Sequence, residues 1–158
     1  MHLRLGDVFE EGCDVGSRGT DWSVADLLHG TLKAKKLDVL EIYTLSLAYY
    51  ARQLDVLEPY RARGELSHLV IVGGSHLDLH GGYPRSSEYI NGLRDFFVSR
   101  GYTVSLRLGH LPDPDLVYMA RARFFVQGGG GYSLLISEIV KAMGGLVLCN
   151  DHQYECAR

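Results

Sequence analysis

The sequence predicts an α/β fold built on an open, mostly parallel sheet with helices on both faces. Three observations carry this. Short apolar runs alternate with amphipathic stretches along the chain, the pattern of repeated strand–helix–strand units. One of the runs, His68-Leu69-Val70-Ile71-Val72, is apolar almost throughout, as a strand covered on both faces requires. Four consecutive glycines, Gly128 to Gly131, join the run Arg123-Phe124-Phe125-Val126-Gln127 to an amphipathic segment, so a strand passes through glycine straight into a helix.

His2-Leu3-Arg4-Leu5 alternates and reads as a first strand, with His2 and Arg4 on one face and Leu3 and Leu5 on the other. Residues 11–42 form a long irregular excursion with one short helix at about residues 22–28. Ser46 is an N-cap for a helix that runs to about Arg61, with Leu47, Tyr50, Leu54 and Leu57 on one face and Pro59 in its last turns. The 68–72 strand is expected to stop at Gly73-Gly74, and residues 75–85 to form a polar loop. Ser86 or Ser87 caps the next helix, which ends at Gly101 and turns Tyr89, Ile90, Leu93, Phe96 and Phe97 inward. A strand at 102–108 comes next, then a short helix at 114–122 capped by Asp113, the Phe124 strand, a helix at 132–143, and a last strand at 146–149.

The chain has 158 residues, 46% of them hydrophobic, which suits one compact domain spanning residues 1–158. Charged residues make up 22% and the formal net charge is −3. The basic residues are scattered rather than gathered in a stripe, which argues against nucleic acid as a partner. No apolar run reaches membrane-spanning length and the start carries no signal-peptide pattern, so no membrane segment is expected in this chain. Cys13, Cys149 and Cys156 are an odd and sparse set, which favours a reducing compartment, and Cys149 and Cys156 read as free thiols.

Ligands of open α/β sheets bind beyond the carboxyl ends of the strands. Three polar segments leave strand ends there: the one around Asp7, the loop at residues 75–85, and the glycine run. The glycine run would expose backbone N–H groups and the positive end of a helix dipole, a site for a phosphate. Its alternative is a turn made of glycine for tight packing alone. Neither G-x-G-x-x-G nor Gly-Lys-Ser/Thr is present.

Other groups have two readings as well. Asp113-Pro114-Asp115 imitates a metal-binding Asp-x-Asp, but it also reads as a helix cap followed by proline in the first turn, and hard cations need more oxygen ligands than this pair offers. No metal is therefore expected. In His76-Leu77-Asp78-Leu79-His80, His76 and Asp78 are candidate contacts to a sugar or acceptor, against a polar loop with no such role. Glu138 reads as a solvated helical acid. Trp22, Tyr43, Tyr49, Tyr50 and Tyr60 either stack a sugar or pack a core.

Two segments together resemble the signatures of the fucosyltransferase superfamily. His2-Leu3-Arg4-Leu5-Gly6-Asp7 is similar to the family's His-x-Arg-Arg-x-Asp. The stretch from Asp115 through Phe124-Phe125-Val126 to the glycines, Tyr132 and Ser133 is similar to its second signature, an acid opening a short helix, an apolar strand, and a small-residue loop entering a helix. The resemblance implies a Rossmann-like, donor-binding lobe of a GT-B-type fold, with the N-terminal acceptor lobe outside these residues. It implies a glycosyltransferase that moves a sugar from a nucleotide diphosphate donor, GDP-fucose in the first instance, to a hydroxyl of a glycan or glycoprotein, with no cofactor and no metal. His2 and Asp115 would contact guanine. Arg4 would hold the β-phosphate and stabilise the departing GDP. Gly130, Gly131, Tyr132 and Ser133 would supply N–H donors, and Ser133 its hydroxyl, to the pyrophosphate. Leu5 stands where many members carry a second arginine, and glycines stand where relatives have serines, so phosphate contact would rest more on backbone. Another donor such as UDP-xylose, a non-catalytic nucleotide- or phosphate-binding module, and an α/β interaction domain are the alternatives. A complete chain would be cytoplasmic; a fragment of a eukaryotic enzyme would belong to a Golgi-type lumen.

Overall fold

The computed structural model describes residues 1–5, 23–31, 43–75 and 84–149, with backbone only at Arg4, Leu5 and Ser75. Among the described residues the strands are β1 (His2–Leu5), β2 (His68–Ser75), β3 (Thr103–Leu108), β4 (Phe124–Val126) and β5 (Leu146–Leu148). The helices among the described residues are α1 (Val24–His29), α2 (Leu47–Ala62), α3 (Pro84–Ser99), α4 (Pro112–Ala120) and α5 (Gly131–Ala142). Every strand pair is parallel. Among the described residues the strands form two sheets, β1-β2-β3 and β4-β5, rather than the single sheet expected.

Burial alternates as a doubly covered sheet demands. Leu69 and Ile71 of β2 belong to a core with Leu27, Tyr50, Leu54, Leu93 and Phe97, beneath α1, α2 and α3. Val72, one residue on, belongs with Met119, Phe125, Ile136 and Val140, beneath α4 and α5. A period of two sends successive side chains to opposite faces, so helices cover both sides and the architecture is Rossmann-like.

Local signals set most element ends. Ser46 caps α2 as expected, its side chain accepting from the Tyr49 N–H. Pro59 is tolerated in α2 because it and Asp55, whose carbonyl loses a donor, both lie on the exposed side. Ser23 and Asp26 form a reciprocal capping box on α1, a device typically worth ~1 kcal/mol.

Three boundaries differ from expectation. Gly73-Gly74 does not end β2, because Leu3, Arg4 and Leu5 pair with Gly73, Gly74 and Ser75 and the ladder carries the glycines along. Helix α3 begins at Pro84 rather than after Ser86 or Ser87; proline's fixed φ suits a first helical turn. Asp113 is not the cap of α4. Leu111 holds that position without a side-chain hydrogen bond, and Pro112 starts the helix, which puts Asp113 and Asp115 in its first turn.

The tyrosines belong to the core. Tyr49 and Tyr50 are buried, Tyr49 donating its hydroxyl hydrogen bond to the Gln127 carbonyl at 3.0 Å. Tyr60 packs edge-on against Phe124. Glu138 is exposed and pairs with Lys141. Cys149 is disulfide-bonded, not a free thiol. Sequence spacing carried no sign of that pairing, and the bond runs against the reducing compartment expected from the cysteine count. Among the described residues no helix is long and apolar enough to cross a membrane.

Candidate functional site

The start of β1 and the glycine run are pressed together. Gly128 is buried, and a Cβ on it would lie 2.2 Å from the His2 carbonyl oxygen. A backbone atom cannot step aside, so only glycine permits this approach. The Gly128 N–H donates to Ser133 Oγ at 2.9 Å, which ties the strand exit to the first turn of α5. Gly130 is held at φ +85°, and a Cβ there would meet the Tyr43 ring at 2.5 Å. Gly131 is different: it is exposed, and a Cβ would find nothing within 4 Å. The glycine run therefore divides into packing positions, Gly128 and Gly130, and one position that faces open space.

That open position lies where α5 begins. Its N-cap is Gly130, which has no side chain to bond the first-turn N–H groups. Those groups and the positive end of the helix dipole are thus left for solvent or an anion. Next in sequence, Tyr132 sets its ring edge-on to His2, with centroids 5.1 Å apart, and donates its hydroxyl hydrogen bond to the Pro112 carbonyl. Burial first, and then the carboxylates of Asp115 and Asp113, push the Tyr132 phenol above its ordinary value. Residues 2, 112–115 and 128–133, far apart in sequence, accordingly meet at one place.

Asp115 has a partner that the sequence did not suggest. Arg107 Nε donates to its Oδ1 at 2.7 Å, with the side chains 27% and 7% exposed respectively. The guanidinium also lies over the Tyr118 ring, 4.8 Å from its centroid. An arginine on a strand, with an acid in the first turn of the next helix, was the available signal. Asp115 is buried and ion-paired, so one carboxylate oxygen is committed within the fold.

Ser133 is fully enclosed, and its hydroxyl oxygen already accepts from Gly128. Arg4 lies two residues beyond His2 on β1, its backbone paired with Gly74; its side chain is outside the described atoms. His76, Asp78 and Asp7 fall outside the described residues. Among the described residues no group of three or more His, Cys, Asp or Glu is placed to hold a metal.

Ser133→Ala would strand the buried Gly128 N–H without an acceptor, at an expected cost of ~1–3 kcal/mol. A denaturation midpoint unchanged from the parent would rule that contact out as a structural one. His2 makes stability depend on pH. It is 9% exposed, and its Nδ1 has no hydrogen-bond partner among the described residues. Burial, and then the Met1 ammonium, push its pKa from the ordinary 6.5 down to about 4. Below pH 6.5 the unfolded chain takes a proton that the folded chain refuses until about pH 4. Stability due to neutral His2 is therefore present above that window and lost as pH falls through it, by about 3 kcal/mol in full. His2→Phe keeps a ring against Tyr132 and removes the titration, so its urea midpoint should fall less between pH 6.5 and 4 than the parent's. Parallel pH profiles would refute the assignment.

No protein-family model matches the chain, and no curated protein matches it. Among solved structures, the chain is similar to POFUT1 in its apo form, with 12% sequence identity and a TM-score of 0.35. The match covers 94% of this chain and 39% of the POFUT1 chain, so these residues span well under half of that protein's length. At that score the likeness transfers no residue role and no reaction.

Proposed function

We propose that this chain is the donor-binding lobe of a glycosyltransferase of fucosyltransferase type. It transfers a sugar from a nucleotide diphosphate donor, GDP-fucose in the first instance, to a hydroxyl of a glycan or glycoprotein. The observation that carries the reading is the meeting of His2, Gly131, Tyr132 and the Asp115 turn at the uncapped start of α5. In the reaction the bond between the sugar's anomeric carbon and the diphosphate oxygen breaks. A new bond forms from that carbon to the acceptor oxygen, which loses its proton. Negative charge collects on the leaving diphosphate. The backbone N–H groups at Gly131 and Tyr132, with the Arg4 guanidinium, would stabilise it without a metal. His2, neutral at pH 7, would serve as a hydrogen-bonding partner for the base rather than as a charge.

A second reading is favoured by one observation. Ser133 and Asp115 spend polar atoms inside the fold, as they would in a phosphate-binding module with no turnover. Thermal-shift titration with GDP-fucose, GDP-mannose, UDP-xylose, GDP, UDP and phosphate tests both. A ligand at a hundred times its dissociation constant stabilises by ~2.7 kcal/mol. Stabilisation by GDP-sugars with release of GDP supports the enzyme. Stabilisation without release supports the module, and no shift with any ligand defeats both.

The open glycine separates binding from folding. Gly131→Ala meets no neighbouring atom and sits in a helix's first turn, where alanine is no worse than glycine. Its melting temperature should match the parent's, while its Cβ hinders backbone approach and weakens GDP binding at least severalfold. Parent-like GDP affinity in this variant would remove the loop from the binding site.

A further inference from the structure

The glycine run does not set its own shape. The Gln127 carbonyl and the Gly128 N–H belong to one planar peptide group, which points them to opposite sides of the chain. On one side the Tyr49 hydroxyl, carried by α2, donates to the Gln127 carbonyl at 3.0 Å, and both residues are buried. On the other side the Gly128 N–H donates to Ser133 Oγ at 2.9 Å. The preceding peptide is held as well, since the Gln127 N–H donates to the Leu148 carbonyl at 2.9 Å. The chain thus leaves β4 through a peptide plane gripped from both sides.

A second tyrosine meets the run two residues further on. A Cβ on Gly130 would stand 2.5 Å from Tyr43 Cε1 and 3.3 Å from its hydroxyl oxygen. The segment that carries Tyr43 is itself held in place. Its near neighbour Leu45 is buried, and one phenol, that of Tyr89 on α3, bonds both the Leu45 N–H at 3.1 Å and the Leu45 carbonyl at 2.6 Å. Ser46 then caps α2. Residues 43–49 are therefore a template that touches the run at Gln127 and Gly130 and leaves Gly131 facing open space. Beside that opening His2, edge-on to Tyr132, holds a buried Nδ1 with no hydrogen-bond partner among the described residues.

We infer that Tyr49 and Tyr43 are positioning residues for the anion site at the start of α5, an inference that rests on the function proposed above. Neither has to touch the ligand. Donors aimed before the ligand arrives stabilise its charge with no further ordering to be done. Glycine, the residue with the widest choice of backbone conformations, is the one that most needs such aiming. Without the Tyr49 hydroxyl the Gln127 carbonyl loses its donor, and the shared peptide plane is free to turn and take the Gly128 N–H away from Ser133. Without the Tyr43 ring Gly130 is released from its φ of +85°. Either change takes the fixed direction from the first-turn N–H groups of α5. Tyr50, next along α2 and also buried, sets its ring edge-on to Phe97 and supplies the comparison.

The experiment is calorimetric titration of the intact chain with GDP, with a melting temperature taken for each variant. Tyr49→Phe keeps the ring and its packing and removes only the hydroxyl. It should bind GDP about fivefold more weakly, a loss of ~1 kcal/mol, in a chain that stays folded at the titration temperature. Tyr50→Phe removes a hydroxyl from the same core and should bind GDP like the parent. Tyr43→Ala should weaken binding severalfold, and Tyr43→Phe, which keeps the ring edge on Gly130, should recover most of that loss. In the Gly131→Ala background, where backbone approach is already hindered, Tyr49→Phe should have a smaller effect, because residues that act through one loop do not add. Parent-like affinity in Tyr49→Phe would overturn the positioning role. So would an equal loss in Tyr50→Phe, by showing that any loosening of the α2 core suffices. Both results leave the functional reading standing. A parent that binds neither GDP nor any other nucleotide would remove that reading and this role together.

Discussion

Arg107→Ala is expected to destabilise the chain by about 3 kcal/mol, the lower end of the loss caused by removing one partner of a buried ion pair. The discount reflects the partial exposure of Arg107 itself. Asp115 stays enclosed after the substitution, but the guanidinium that holds its Oδ1 is gone. The contact with the Tyr118 ring goes with it, so packing is lost as well as charge. For a chain of this length the melting temperature should fall by roughly 6–12 °C. Calorimetry of Arg107→Ala, Asp115→Asn and the double variant separates the causes. If a stranded carboxylate dominates, Asp115→Asn in the Arg107→Ala background restores part of the loss. A fall of less than about 2 °C in the single variant, under ~1 kcal/mol for this size, would show that the pair contributes little.

Arg4→Ala is expected to lower donor turnover at least a hundredfold under the proposed function. That is the scale of deleting one group that stabilises charge in a transition state. GDP affinity should drop at least tenfold, or ~1.4 kcal/mol, because a charge-assisted contact to phosphate is lost. Arg4→Lys should recover only part of this, since an ammonium cannot match a guanidinium's two-pronged geometry. Isothermal titration with GDP is the measurement, and an Arg4→Ala variant that binds GDP like the parent would count decisively against Arg4 as the phosphate contact.

Much of the fold was legible along the chain. The apolar run at 68–72 announced a doubly covered strand, Ser46 announced its helix, and Gly101 closed α3. The misread boundaries share a cause. Gly73-Gly74 continues a strand because β1 pairs alongside it, and Leu111 rather than Asp113 precedes the first turn of α4. Both depend on neighbours that are distant in sequence. The candidate site was legible in kind but not in detail. His2, Asp115 and the glycine run were identified, and the structure brings the first turn of α4 to them through Tyr132. Arg107 was missed because its partner lies eight residues away across a turn, a separation with no fixed periodicity.

The sequence by itself therefore determined the alternation of strands and helices and the place where glycine carries β4 into α5. Those arise from periods of two and 3.6 residues and from short-range caps, all of which act within a few residues. Only the tertiary structure decided that Gly128 and Gly130 pack while Gly131 stays open, and that Arg107 takes Asp115. The reason is physical: what a Cβ would touch and which acid a guanidinium reaches are set by chain segments brought together from far apart.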